Sequence, residues 1–253
     1  MTAAAAPVLR TTAIEKRFGG VHALRGVDLA VSPGERRAIL GPNGAGKTTL
    51  FNVISGSEYP TAGEVELFGR PVTNVSAPHR TRLGLARTFQ TSRTFGGLTV
   101  LQNLYLGALG VRGGRMRAIR TQKDAELRRA AEGVAGRIGL GERLRERAAG
   151  LSHGEHRQLE IGLALVAEPR LLMLDEPAAG LSRTERQLLT ELLLSLERTV
   201  TVILIEHDMD VALRVAERVT MMHEGRVILE GTPAEIRASE TVRDIYLGGV
   251  HAA

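Results

Sequence analysis

Residues 36–48 read RRAILGPNGAGKT. The first five become apolar as they run inward, which predicts a strand; a glycine-rich loop follows at 41–48, and a helical pattern opens at Lys47. Gly44 and Gly46 allow the backbone to wrap closely, so that successive N–H groups point at one cluster of oxygens. The helix N-terminus adds partial positive charge. Lys47 brings a full charge toward the β- and γ-phosphates of a nucleotide, and the Thr48 hydroxyl suits Mg²⁺. A plain glycine-rich turn is the alternative, but strand, loop and helix fall in the order that phosphate binding requires.

A phosphate loop needs an acidic partner for the metal. LLMLDE (171–176) is four apolar residues followed by two carboxylates. A buried parallel strand would put Asp175 at its carboxyl end, where ligands of open α/β sheets sit. Asp175 is then the metal-side carboxylate, acting through water because Mg²⁺ keeps much of its shell. Glu176 is the candidate to orient or deprotonate the attacking water. The alternative is a solvated acidic loop. TVILIEHD (201–208) repeats the pattern, with His207 placed to hydrogen-bond the γ-phosphate or to be an ordinary strand-end histidine.

Around these stretches the chain alternates strand and helix. VDLAV (27–31) and EVELF (64–68) alternate as half-buried strands, and the first third reads as short strands with tight connections. Between about 99 and 150 the pattern turns helical, with seven basic residues against two acids over 112–129. From 151 strand–helix alternation returns: a helix through about 167, RLLML, a helix through 197, TVILI, a helix from 208. Near-continuous apolar strands between helices predict an α/β fold with a mostly parallel sheet covered on both faces. TPAE (232–235) reads as a capped helix start.

Composition narrows the class. At 253 residues the chain can bury a substantial core, with 43% apolar and 24% charged residues. No apolar run approaches the ~18 residues of a membrane span, no secretory signal is read in MTAAAAPVLR, and zero cysteines exclude disulfide or thiolate chemistry. The net charge of +5 could favour nucleic acid or an anionic membrane, but only 3% aromatics argues against a base-stacking surface. No nucleic-acid partner is expected.

LSHGEHRQLE (151–160) opens a helix with a capping box, Ser152 at the cap and Glu155 three positions on. Taken with the other motifs it resembles the signature of an ATP-binding cassette (ABC) ATPase, and the resemblance covers almost the whole chain. Phe18 in KRFGG resembles the aromatic that stacks on adenine. Gly41, Pro42, Asn43, Gly44, Ala45, Gly46, Lys47, Thr48 and Thr49 resemble the Walker A loop, and Gln90 in ARTFQ the Q-loop glutamine. LLMLDEP resembles Walker B, AGLS (179–182) the D-loop and His207 the switch histidine. The resemblance implies a single ABC ATPase domain over 1–253, a P-loop core with an N-terminal antiparallel β region and a helical subdomain inserted at about 92–165.

It implies ATP and Mg²⁺ as ligands, with Thr48, Gln90 and Asp175 at the metal and Lys47, Gln90, Glu176 and His207 in catalysis. Two cassettes, identical or not, would pack head to tail, Ser152 and Gly154 of each closing on the nucleotide of the other. His153 and Glu155 depart from the usual LSGGQ, and Ser182 stands where the D-loop often has Asp; SRTE (182–185) would still cap the next helix. ARTFQTSRTFGGLTVLQNL (86–104) and VRDIYLGG (242–249) look most like ATPases of branched-chain amino-acid importers. Importers of urea or amides, the lipopolysaccharide export ATPase and a soluble non-transport cassette are the alternatives, and a module that has lost catalysis is disfavoured by keeping Lys47, Asp175, Glu176 and His207 together. The implied partners are transmembrane permease subunits and, indirectly, an external solute-binding protein. The implied location is the cytoplasmic face of the cell membrane. The basic stretch 112–129 reads as a solvated insertion, with contact to anionic headgroups as the other reading.

Overall fold

Strand β3 (Arg36–Leu40), β7 (Leu171–Asp175) and β8 (Thr201–Ile205) are buried at every position. A strand can be apolar on both faces only if both are covered, and here they are. Successive side chains point to opposite sides: Leu40, Leu172 and Leu204 enter one core, while Ile39, Met173 and Ile205 enter another. The computed structural model describes residues 6–88, 94–112 and 122–248.

The three strands form the middle of a six-stranded sheet, completed by β6 (Leu85–Arg87), β9 (Arg218–His223) and β10 (Arg226–Gly231) in the order β10-β9-β3-β8-β7-β6. All neighbours are parallel except β10, which returns antiparallel on β9. A second sheet is antiparallel and uses the N-terminal third: β1 (Leu9–Phe18), β2 (Val21–Val31), β4 (Ala62–Leu67) and β5 (Arg70–Pro71), in the order β2-β1-β4-β5. The α/β class, the mostly parallel core sheet and the antiparallel N-terminal region are as the sequence predicts. The strands of the first third are not all short, however, since β1 and β2 run for 10 and 11 residues. β1 is interrupted by register shifts around Ala13, whose φ is 47°, and this breaks its alternation.

Between the sheets lies α1 (Lys47–Ser55), whose Leu50, Phe51 and Ile54 share a core with Leu9, Val27 and Ile205. Its C-terminal end is held by Arg80 of α2 (Ala77–Arg82), which is fully buried and donates to the carbonyls of Val53 and Ile54 at 2.7 Å each. The same guanidinium reaches the carbonyls of Val72, Thr73 and Val75, so the five-donor fork is matched by backbone acceptors. On the other face of the core sheet pack α3 (Val100–Arg112), α4 (Gln122–Arg137), α5 (His153–Leu165), α6 (Arg183–Ser195) and α7 (Met209–Val215). α3, α4 and α5 contact one another through Leu104, Ala131, Val134 and Leu159. The chain closes with α8 (Pro233–Ala238) and α9 (Glu240–Gly248). Among the described residues no helix is long and apolar enough to cross a membrane.

Candidate nucleotide-binding site

Register gathers the site. Ile205 on β8 pairs with Ile39 on β3 and with Asp175 on β7. The loop after β3, the Asp175–Glu176 corner and the Glu206–His207 corner therefore leave the same edge of the sheet side by side. Sequence motifs more than a hundred residues apart meet at the carboxyl ends of parallel strands, where such sheets bind ligands.

The loop can form only with its glycines. Gly41 has φ of 151°, and a Cβ there would stand 2.1 Å from the carbonyl oxygen of Met222. Gly46 has φ of 97° and caps α1, where a Cβ would stand 2.7 Å from the carbonyl oxygen of Ala23. Gly46 offers no side chain, and the first turn of α1 holds no acid. Three other helices supply their own acceptors: α5, α6 and α8 each start with a full capping box, Ser152/Glu155, Ser182/Glu185 and Thr232/Glu235. The start of α1 has no side-chain cap, which leaves its first-turn N–H groups available to an anion. Lys47 is buried and donates to the carbonyls of Gly41 (2.6 Å) and Pro42 (2.9 Å). Burial lowers its pKa, while Glu176 and Asp175 pull it back up.

Asp175 is 1% exposed. Its Oδ2 accepts from Arg87 Nη2 at 2.9 Å, and its Oδ1 is buried with no hydrogen-bond partner. A carboxylate oxygen left bare in the interior is costly unless something cationic or hydrated meets it. Arg87 is a residue that sequence reading passes over. It also donates to Asn52 Oδ1 (2.7 Å) and Ser55 Oγ (3.1 Å) on α1, tying that helix to Asp175. Its only sequence signal is its place three residues before Gln90. Gln90 itself lies outside the described residues, as does half of the basic stretch 112–129, residues 113–121.

Glu176 adopts φ of 47°, a left-handed conformation unusual for a side chain of its size. Its N–H donates to the carbonyl of Ile205 at 2.9 Å, and its Oε2 lies 3.9 Å from His207 Nδ1. His207 has a side chain 60% exposed, open to a ligand on the sheet edge. Next to it Glu206 is fully buried; its Oε1 accepts from the Ala178 N–H at 2.7 Å, its Oε2 is unpartnered, and burial pushes its pKa up. Sequence reading missed Glu206 as well, because its buried setting depends on the loop after Glu176.

Phe18 ends β1 and is 46% exposed, and Lys16 Nζ sits 4.8 Å from its ring centroid. Ser152 and Gly154 are placed elsewhere, against α6, where they line a cavity of about 300 Å³ with Leu181 and Glu185. The Gly154 N–H donates to Glu185 Oε1 at 3.1 Å, and the His153 ring lies beside Gly180.

This chain belongs to the ABC transporter family, which it matches over residues 24–179. Its C-terminal residues 226–252 match the family described as branched-chain amino acid ATP-binding cassette transporter. It is 38% identical over 251 residues to the high-affinity branched-chain amino acid transport ATP-binding protein LivG of Salmonella typhimurium, covering 96% of this chain and 98% of that one. The fold matches the crystal structure of the ADP conformation of MJ1267, an ATP-binding cassette of an ABC transporter, with a TM-score of 0.85 and 30% identity over 96% of this chain and 99% of the other. It also matches a dimeric, post-hydrolysis ATP-binding cassette, MJ0796, bound to ADP and phosphate, with a TM-score of 0.76 and 26% identity over 89% of this chain and 98% of the other.

Proposed function

We propose that this protein is the ATP-hydrolysing subunit of a membrane importer, and that the solute is a branched-chain or other amino acid. The observation that carries the nucleotide site is the bare start of α1: a glycine cap, no acidic side chain and a buried lysine, set beside Asp175 on the sheet edge. The branched-chain amino-acid role named for LivG, over nearly the full length of both chains, supports the choice of solute.

In this reading the base of ATP stacks on Phe18, and the N–H groups of residues 41–49 with Lys47 hold the phosphates. Glu176 orients a water for attack on the γ-phosphorus and takes its proton. The bond from that phosphorus to the bridging oxygen breaks, leaving ADP and phosphate. His207 hydrogen-bonds the γ-phosphate. The bare Oδ1 of Asp175 and the exposed Thr48 hydroxyl fit a hydrated Mg²⁺, with Gln90 as a third contact. Such an ion, when bound, neutralises phosphate charge.

The whole chain is then one cassette, with α3–α5 as its inserted helical subdomain. Ser152 and Gly154 close on the nucleotide of a second cassette, identical or not, and the pair docks on transmembrane permease subunits at the cytoplasmic face of the membrane. An external solute-binding protein delivers the cargo. Affinity purification of the tagged chain from detergent-solubilised membranes tests this reading. The expected result is co-purification of polytopic membrane proteins and ATPase activity stimulated by them. Recovery from the soluble fraction with ribosomes or DNA instead would favour a non-transport cassette.

A further inference from the structure

Arg157 stands on α5, about one turn after Ser152 and Gly154, and is 9% exposed. It lines the same cavity as Ser152 and Gly154, but its guanidinium is turned to the corner after β7. Nη2 donates to the carbonyl oxygen of Glu176 at 2.5 Å, Nε to that of Pro177 at 2.9 Å, and Nη1 to Glu160 Oε2 at 2.7 Å. Two consecutive carbonyls of the corner after β7 are thus gripped by one planar fork, whose own orientation is fixed by an ion pair within α5.

The residue being gripped is the strained one. Glu176 holds φ at 47°, and such a backbone persists only where its surroundings over-determine it. Its N–H is tied to β8 through Ile205, and its C=O accepts both from Arg157 on α5 and from the Ala179 N–H of its own loop at 3.1 Å. The first restraint belongs to the sheet and the last to the loop itself. The Arg157 bond belongs to the helix that begins at the signature, so a shift of α5 bears on the Glu176 backbone.

We propose, on the reading of Glu176 as the water-orienting carboxylate, that Arg157 is its positioning residue and couples the signature helix to the hydrolytic corner of the same chain. In a head-to-tail pair, Ser152 and Gly154 sense the partner's nucleotide while Arg157, on the same rigid helix, sets the carboxylate that acts on the chain's own nucleotide. Arg157 acts through the carbonyls of Glu176 and Pro177. Its effect is on the rate of the chemical step and not on nucleotide affinity, because no phosphate- or base-contacting group lies on its fork.

The test compares Arg157→Ala, Arg157→Lys and Glu176→Gln in the full chain, measuring kcat and KM for ATP with Mg²⁺, ATP affinity by titration, and ATP-dependent dimerisation by size. Misplacing a reacting group by about an ångström costs on the order of 10²-fold in rate. The expected result is a loss of that order in kcat for Arg157→Ala, with KM and ATP affinity unchanged and the ATP-bound dimer accumulating as in Glu176→Gln. Arg157→Lys, which keeps one donor and the charge, recovers part of kcat; should the alanine variant not fold, Arg157→Gln takes its place. Wild-type kcat in the Arg157 variants, with Glu176→Gln inactive, overturns this inference alone. A parallel loss of ATP affinity and thermal stability at unchanged kcat overturns it too, leaving Arg157 a structural residue. Wild-type turnover in Glu176→Gln overturns the reading of Glu176 and the inference together.

Discussion

Arg87 Nη2 lies 2.9 Å from Asp175 Oδ2, and the two side chains are 7% and 1% exposed. The pair joins β6 to β7 and, through the further bonds of Arg87 to Asn52 and Ser55, joins both strands to α1. One buried cation thus braces the acidic corner against the phosphate-loop helix, occupying one oxygen of Asp175 and leaving the other without a hydrogen-bond partner. Removing one member of a buried pair strands the other, which typically costs ~3–5 kcal/mol. Arg87→Ala is expected to lose stability of that order in chemical denaturation. A denaturation midpoint equal to wild type would show that water or a neighbour compensates Asp175 without Arg87.

Lys47→Ala removes the one cationic side chain that residues 41–49 offer to phosphates. Hydrogen bonds to charged groups contribute ~1.5–3 kcal/mol. ATP affinity is therefore expected to fall roughly 10- to 100-fold by that range, and turnover to vanish. Nucleotide titration and phosphate release measure the two effects separately. Unchanged affinity and rate would remove the loop from the nucleotide site.

Glu176→Gln is nearly isosteric and keeps every backbone contact of the corner. General-base contributions are typically ~10²–10⁴-fold in rate, and that is the expected loss. ATP should bind and persist, so with ATP and Mg²⁺ the variant should elute as a dimer, and with ADP as a monomer. A variant that stays monomeric with ATP bound would mean that the signature meets a different cassette.

Glu206 gives a pH-dependent prediction. Its pKa is raised in the folded protein by burial, so the folded state holds the proton more tightly than the unfolded one. The stability this contributes is complete below the ordinary carboxylate pKa and is lost as pH rises through the folded value. Glu206→Gln keeps an acceptor for the Ala178 N–H and cannot ionise. The melting temperature of the variant relative to wild type is expected to climb as pH rises from 4.5, the ordinary carboxylate value, through the raised folded value. A constant difference across that range would place the Glu206 ionisation outside the folding equilibrium.

The sequence by itself determined what local chemistry encodes. The apolar runs at 171–174 and 201–205 dictate buried parallel strands. The glycines of 41–46 dictate a loop no other residue could follow at Gly41 and Gly46. The pairs Ser152/Glu155, Ser182/Glu185 and Thr232/Glu235 dictate helix starts, because each cap bonds within three residues of itself. β1 escaped because a bulge at Ala13 destroys the alternation that would announce it. What only the tertiary structure decided is how the acidic corner is held. Arg87 meets Asp175 across 88 residues, Glu206 meets Ala178 across 28, and Arg157 meets Glu176 across 19. No periodicity reports such pairs. A guanidinium finds a given carbonyl or carboxylate only after the strand order β8-β7-β6 and the packing of α5 have fixed where both chain segments lie. Buried charges must be matched in place or they cost several kcal/mol, of order ~3–5 for a stranded partner, so folding selects these partners by proximity in space and leaves no trace of them along the chain.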